Sequence, residues 1–287
     1  MASVGKYRKK IKSAKNIAKI TKAMQLVAAS KMRKAQVMAL SGKEYSDALI
    51  ELSGMLSKHL DKTIHPLIGD PKNISSPSLV ILVAPEKGLC GGLVTNISRF
   101  VAHDIASKKV TPDFIAVGAK AKQVSRRLSL NIVAEFPLGL SYPTFDLVPP
   151  IARLAELRFI NGDNSRVSII YAEFFNTMVQ KVVAKELLPL EFKTIEETPR
   201  LEKQYLFEPT PEDIVNSLLS MYLETEIYHM LLEAYASEQS ARMVAMKNAT
   251  DNAKGLIEDL TIEFNKVRQS MITSEILDIG NQQFING

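Results

Sequence analysis

The stretch Pro85-Glu86-Lys87-Gly88-Leu89-Cys90-Gly91-Gly92-Leu93 gathers three glycines, a lysine and the chain's one cysteine within nine residues. Such residues serve two kinds of chemistry. Backbone N–H groups of a glycine-rich turn cradle phosphate while a lysine neutralises it, and a cysteine thiolate acts as a nucleophile. The stretch follows the apolar run Leu79–Ala84, where nucleotide-binding loops sit after a strand. Its spacing matches neither G-x-G-x-x-G nor G-x-x-x-x-G-K-[ST], and no Ser or Thr follows a glycine-lysine pair to hold magnesium. It therefore reads as a tight structural turn or a partner contact ahead of a ligand cradle. Gly118-Ala119-Lys120 is an ordinary strand-to-helix exit. A nucleophilic Cys90 would need a base and oxyanion donors. The four histidines, His59, His65, His103 and His229, have no triad-like or metal-like spacing, and no H-E-x-x-H pattern occurs. The sequence points to no catalytic residue, no cofactor and no metal.

The strongest charge signal lies elsewhere. Positions 1–43 hold twelve Lys and Arg residues and no acid before Glu44, so the rest of the chain sums to −7 within a net +5. One end is built to meet something negative. Nucleic acid, anionic lipid and an acidic protein surface all satisfy that requirement. The run lacks the aromatic interleaving and compact motif of a nucleic-acid reader, and its apolar face lacks the large aromatic anchors of a membrane-surface helix. A solvated lysine face on a long helix is the plain alternative. Hydrophobic residues at 46% and charged residues at 23% describe a folded chain. No apolar run is long enough for a membrane span or forms a signal-peptide core, and a lone cysteine implies no disulfide framework.

Proline marks the elements that must position these residues. All thirteen prolines fall between Pro66 and Pro211. Proline breaks helix interiors, so both ends are free to form long helices. At the N-terminal end Ile17, Ile20, Met24 and Val27 recur at helical spacing, widened by Ala14, Ala28, Met32 and Ala35. This predicts a helix from about Gly5 to Leu40, continuing toward Leu60, with Gly42 and Gly54 as weak points. At the other end Thr210-Pro211-Glu212-Asp213 is a helix start. From Met243, the series Met246, Thr250, Ala253, Ile257, Leu260, Phe264, Val267, Met271 and Ser274 keeps a 3-4 rhythm, which predicts a coiled-coil seam. About 75 residues at about 1.5 Å each span on the order of 110 Å, too long to bury in a domain of this mass. The two helices are expected to pair antiparallel, with Ala14, Ala18, Ala28, Ala35, Thr250 and Ala253 allowing close approach. The methionines near the seams fit a core, and also a surface that meets changing partners.

Between the helices, strands are expected at Leu79–Ala84, Phe114–Gly118, Ile132–Phe136, Val167–Phe175 and Val179–Leu188, with helices at Arg99–Lys108 and Ala119–Leu128. The order predicts a small, mostly parallel sheet. The fold class expected is α/β: two long antiparallel terminal helices forming a coiled coil, plus a Rossmann-like α/β globular domain. The corresponding division is 1–60, 77–195 and 210–287, the first and last forming one discontinuous shaft.

Five stretches carry a resemblance. Ile11–Met24 (IKSAKNIAKITKAM) and Val27–Gln36 (VAASKMRKAQ) resemble the N-terminal signature of ATP synthase gamma chains. Gly88–Gly92 (GLCGG) is similar to the family's central motif. Glu238–Ala253 (EQSARMVAMKNATDNA) and Asn265–Ile276 (NKVRQSMITSEI) resemble its C-terminal helix. Motif order and length agree across the chain.

The resemblance implies a central-stalk rotor subunit of a proton-translocating F-type ATP synthase. Its paired helices would form an asymmetric shaft inside a ring of three alpha and three beta chains. Its base would contact the epsilon chain and the membrane c ring. Rotation would drive the beta-chain catalytic sites through their states in turn, and the chain would regulate ATPase activity and proton flow. The resemblance places Met24 against an acidic lever loop of a beta chain, with Lys19, Lys22 and Lys31 adding charge attraction. It places Arg242, Gln269, Thr273 and Glu275 at beta-chain contacts, Lys87, Gly88, Cys90 and Gly91 in the motif loop of the globular part, and Tyr205 and Glu208 at the foot that meets the c ring and epsilon chain. Catalytic residues and nucleotides would belong to the alpha–beta ring, with no nucleic-acid partner and no direct membrane span. The chain departs from the family in Pro85-Glu86-Lys87, where a serine/aspartate-type lead is expected, and in a polar tip, Asp278–Gly287. Without the inserted cysteine pair of chloroplast members, the resemblance implies a bacterial form, peripheral on the cytoplasmic side of the inner membrane.

The rival readings are a basic coiled-coil scaffold that binds nucleic acid, and a small α/β enzyme using the Gly88–Gly92 loop. The first would bind isolated DNA or RNA in a salt-dependent way, and the second needs a discrete pocket.

Overall fold

The computed structural model describes residues 2–57, 66–68, 75–108, 110–139, 141–190 and 211–285. Helix α1 is Ala2–Ser57 and helix α5 is Pro211–Ile285. Neither Gly42 nor Gly54 ends α1. Between them lie β1 (Leu79–Val83), α2 (Leu93–Ala106), β2 (Asp113–Val117), α3 (Ala119–Arg127), β3 (Asn131–Phe136), α4 (Val148–Asn161), β4 (Val167–Phe174) and β5 (Gln180–Leu188). The chain divides into two compact units: Met1–Ala28 with Arg242–Gly287, and Ala29–Ala241.

The larger unit is built on one sheet in the order β3-β2-β1-β4-β5. Strands β1 to β4 run parallel, and β5 is antiparallel to β4. A central parallel strand is covered on both faces, which is why β1 is the unbroken apolar run LVILV with every residue buried. Alternate residues serve opposite layers. Leu79, Ile81, Val83, Ile169 and Tyr171 face α4 and α5, packing with Ile151, Phe159, Leu223 and Ile227. Val80, Leu82, Phe114, Ile170 and Ala172 face α2 and α3, packing with Ile97, Val101 and Val124.

Two elements differ from expectation. Helix α2 begins at Leu93, six residues before Arg99, because Leu93, Ile97 and Val101 already form its buried stripe. Helix α4 was not anticipated. It opens on Val148-Pro149-Pro150 and closes at Gly162, whose φ of 83° suits glycine, so the prolines that discourage a helix mid-sequence start one here.

The edge of the sheet where the parallel strands begin is pinned by a polar network. Asp113 accepts from Asn131 Nδ2 (2.7 Å), Arg158 (2.6 Å) and Asn164 Nδ2 (3.2 Å), and Asn164 also donates to the Pro77 carbonyl (3.0 Å). Asn164 is fully buried, and these bonds satisfy it.

The smaller unit is an antiparallel pair of helices. Thr21 Oγ1 and Thr250 Oγ1 lie 2.7 Å apart and set its register. One step up α1 is one step down α5. Ala18 therefore falls level with Ala253, Ala14 with Ile257, Ile11 with Leu260, Tyr7 with Phe264 and Val4 with Val267. Every one of these is buried or half-buried. Between Asp251 and Leu277 the residues sheltered from solvent are Ala253, Ile257, Leu260, Phe264, Val267 and Met271, the expected seam. Ser274, expected at its end, is exposed.

The seam on α1 matches expectation in Ala14, Ala18 and Ala28, which lie in it, but not in the large residues of the expected stripe. Ile17, Ile20 and Val27 are 50%, 59% and 56% exposed. The sheltered line runs Val4, Tyr7, Ile11, Ala14, Ala18, Thr21, Gln25 and Ala28, with Met24 half-buried beside it. Helix α1 carries two apolar stripes of the same rhythm. The one with the smaller residues faces α5, because only small side chains let the two threonine hydroxyls approach to bonding distance.

Candidate functional site

In an open α/β sheet, ligands bind at the carboxyl ends of the strands where the strand order reverses. Here that point lies between β1 and β4. Val83, Ala84 and Pro85, Leu93 and Ile97 of α2, and Ala172 of β4 line a crevice there. Leu138 and α5 complete the wall, the helix inserting Leu231, Ala234, Tyr235 and Glu238. A void of about 10 Å³ remains, room for about one water. The chain's own helix occupies the place a ligand would take.

The loops around the crevice agree. Gly118 (φ 93°) brings its α-carbon so close to β1 that an added Cβ would lie 2.1 Å from the Ala84 carbonyl oxygen. The Glu86 carboxylate accepts from Ala119 N (3.1 Å) and Leu138 N (3.3 Å), so the N-terminus of α3 is met by a carboxylate from within the chain. Cys90 is buried among Leu93 and Ile97 and packs as a small apolar side chain. Leu89 is exposed with φ 63°, and Gly91 has φ 59°. Lys87 and Gly91 are exposed and Gly88 is half-buried. Among the described residues no group of three or more His, Cys, Asp or Glu is arranged to hold a metal.

Helix α5 is fixed to the sheet by more than apolar contact. The Tyr171 hydroxyl of β4 donates to Glu233 Oε2 of α5 at 2.8 Å. Burial, then the Glu233 charge, pushes the Tyr171 phenol up. Lys185 lies 5.3 Å over the Tyr171 ring and pairs with Glu173 at 3.1 Å. Burial raises the Glu226 carboxyl, and burial with the Glu226 charge pushes the Tyr222 phenol up to about 12. Near the same helix Phe145 meets Tyr228 edge-on at 5.5 Å, and Lys34 of α1 lies 4.4 Å from the centre of the Tyr142 ring.

The other candidate surface is the outside of the helix pair. Ile17, Ile20, Leu26 and Val27 stand in solvent on α1. Lys6, Arg8, Lys9, Lys10, Lys12, Lys15 and Lys19 are exposed, and none forms an ion pair among the described residues. An apolar stripe set in unpaired cations is a surface for a partner.

Comparison with known proteins decides the family. A family model described as ATP synthase matches residues 3–281. The ATP synthase gamma chain of Dehalococcoides mccartyi is 40% identical over 281 residues, 97% of each chain. That of Roseiflexus castenholzii is 38% identical over 285 residues, 98% of this chain and 97% of the relative. The chain belongs to the ATP synthase gamma chain family. Among solved structures, a chain of the central stalk and c ring of Tetrahymena thermophila mitochondrial ATP synthase is similar at a TM-score of 0.60 and 26% identity, covering 80% of this chain and 99% of that one. A Euglena gracilis mitochondrial ATP synthase chain shares the fold at a TM-score of 0.68 and 18% identity, with 98% and 94% covered.

A gamma chain is the non-catalytic rotor subunit of the central stalk, coupling c-ring rotation to catalytic sites on other chains. A filled crevice suits that work. Met24 is half-buried, Lys22 is exposed with its amine 3.3 Å from Gln25 Oε1, and Arg242 is half-buried. Gln269, Thr273 and Glu275 are exposed, and Thr273 Oγ1 donates to the Gln269 carbonyl at 2.9 Å. Lys87, Gly88, Cys90 and Gly91 share one loop at the crevice, and Cys90 is turned into the core. Tyr205 and Glu208 lie outside the described residues. Sequence reasoning missed Tyr235 and Glu238 as the wall of the crevice. Glu238 opens the motif Glu238–Ala253, but nothing local says which strand it meets. Among the described residues no helix is long and apolar enough to cross a membrane.

Proposed function

We propose that this gamma chain turns as one shaft within a ring of three alpha and three beta chains, carried at its foot by the c ring and the epsilon chain. Residues 1–60 and 210–287 are the shaft in this reading, and 77–195 the base. The observation that carries it is the exposed stripe of Ile17, Ile20 and Val27 beside Lys15 and Lys19, which form no ion pair among the described residues, on a helix whose other stripe is already used against α5. Such a surface is complete only inside a partner. The stripe is confined to one side of α1, so the shaft offers a different face to each surrounding chain.

Met24, Lys22, Arg242, Gln269, Thr273 and Glu275 are proposed as beta-chain contacts. Gln269, Thr273 and Glu275 lie on solvent-exposed helix surface, where polar pairs exchange at little cost. A rotor needs such contacts, because a strong fixed pair would hold one orientation. Lys87, Gly88, Cys90 and Gly91 form the motif loop of the base, and Tyr205 and Glu208 are proposed to meet the c ring and epsilon chain. Through these contacts the chain would regulate ATPase activity and proton flow, as a peripheral subunit on the cytoplasmic side of a bacterial inner membrane.

The test is native mass spectrometry of this chain mixed with matching alpha and beta chains. A complex of three alpha, three beta and one copy of this chain is expected, followed by ATP-driven rotation of a bead attached at the base. Exclusion from a well-formed alpha–beta ring would overturn the reading.

A further inference from the structure

The side of α5 that lies on β4 and β5 carries more than apolar residues. Glu226, His229 and Glu233 recur at spacings of three and four, so they share one side of the helix. On the sheet, Tyr171 stands opposite Val183 and Ile169 opposite Lys185, which places Lys185 diagonally beside Tyr171 on the same face. The Lys185 amine lies 5.3 Å over the centre of the Tyr171 ring and 3.1 Å from Glu173. The Tyr171 hydroxyl closes the set by donating to Glu233 Oε2 at 2.8 Å. Tyr171 is fully buried, and Glu173, Lys185, Glu226, His229 and Glu233 are half-buried. Glu233 holds Tyr171 and Glu173 holds Lys185, whereas Glu226 has no hydrogen bond or ion pair among the described residues. A half-buried carboxylate left without a bond of its own is the costliest of the three to keep ionised.

We propose that Glu226 is a proton-operated clasp, binding a proton while α5 lies on the sheet and releasing it when that stretch of helix lifts into water. The groups that face it are Tyr222, His229 and Glu233 on its own helix, Tyr171 on β4, and Lys185 on β5 with its partner Glu173. Burial raises the Glu226 carboxyl. His229 and then Lys185 hold the rise in check, and the Glu233 charge adds to it. A carboxyl raised in the seated state binds its proton more tightly there than in water. Its contribution to seating is therefore fully present below the ordinary glutamate range and is lost as pH rises through the raised value. Acid tightens the seat of α5, and alkali loosens it. This response is a property of the chain itself, whatever surrounds it.

The experiment follows the Glu226 carboxyl carbon by NMR in the full chain, isotopically labelled at glutamate, from about pH 4 to about pH 9. Its midpoint is expected above the ordinary glutamate range. It should lie further above in His229→Gln and in Lys185→Met, each of which removes a facing cation. Urea unfolding of the unaltered chain and of Glu226→Gln supplies a second reading. The two are expected to be equally stable near about pH 4, and Glu226→Gln to gain about threefold in the ratio of folded to unfolded chain near about pH 8. A midpoint in the ordinary range, a midpoint indifferent to the loss of His229 and Lys185, or a stability gain that is the same at every pH overturns the clasp. The titration is read without Glu226→Gln, so it decides the matter even where that variant folds poorly.

Discussion

Thr21 and Thr250 are 229 positions apart in sequence, yet their hydroxyl oxygens lie 2.7 Å apart in the seam of the helix pair. Each is also within bonding distance of its own helix. Thr250 donates to the Met246 carbonyl at 2.8 Å, and Thr21 lies 3.0 Å from the Ile17 carbonyl. The helices are thus joined through a short chain of hydroxyls at a point where side chains too small to interlock would leave the register free to slip. Thr250→Val keeps the shape and removes the hydroxyl. It is expected to lower stability by about 1 kcal/mol. Combined with Thr21→Val, the loss should be less than the sum of the two single changes, because the second leaves no unpaired hydroxyl. Thermal denaturation of the four proteins in the cycle measures this, and strict additivity would deny the coupling.

Gly118→Ala should be among the most damaging small changes in the chain. The added methyl meets a backbone oxygen at 2.1 Å, and φ of 93° is unfavourable for any L side chain. A loss of about 3 kcal/mol or more is expected from urea unfolding. Gly88→Ala, where a Cβ meets nothing within 4 Å, is the matched control and should change little.

Glu86 reaches from the loop after β1 to the first N–H of α3. Glu86→Ala is expected to lose about 1 kcal/mol, and Glu86→Gln to recover part of it by keeping an acceptor oxygen. Amide exchange at Ala119 and Leu138 should speed up in the alanine variant and distinguish this local cause from a general loss.

Glu156 on α4 is half-buried, and its Oε1 has no hydrogen-bond partner among the described residues. Burial, and to a lesser degree the Glu224 charge, raises its carboxyl. A raised folded pKa means that the native state binds the proton more tightly than the unfolded chain. Its favourable contribution is fully present below the ordinary glutamate range and is lost as pH rises through the raised value. Glu156→Gln should therefore stabilise the chain at neutral pH and make little difference near pH 4. Melting temperatures of both proteins across that interval check the sign, and a larger benefit in acid would contradict it.

Ile17→Ser with Ile20→Ser separates folding from assembly. Both side chains are at least half exposed and outside the seam. The melting temperature of the isolated chain should move by no more than about 1 °C, while entry into the alpha–beta ring falls. A large fall in melting temperature would mean that the stripe packs within the chain.

The α5 seam was legible because large apolar residues, Ile257, Leu260, Phe264 and Val267, mark it against a polar surface. The α1 seam was read only in its alanines, for the opposite reason. Thr21 and Gln25 are inconspicuous beside Ile17 and Ile20, and periodicity gives the rhythm of a stripe without its partner. The choice is made in three dimensions, by how close the backbones must come. The strands β1, β2 and β4 were readable as apolar runs. The plugging of the crevice was not, because Tyr235 and Glu238 lie about 150 residues from the loop they face. Glu86 reaches an N-terminus 33 residues away, and nothing in the intervening sequence announces that bond.

The crevice between β1 and β4 is a place that, in many proteins of this layer plan, opens and closes around a small molecule. Here the closing piece is α5, a helix of the chain itself. A small molecule can leave and so makes a joint that flexes. A helix that cannot leave makes a weld. The void of about one water at that weld leaves Leu231, Ala234, Tyr235 and Glu238 no room to shift against the sheet. The same filling that removes a binding site turns a crevice suited to hinging into a fixed seat for one stretch of helix.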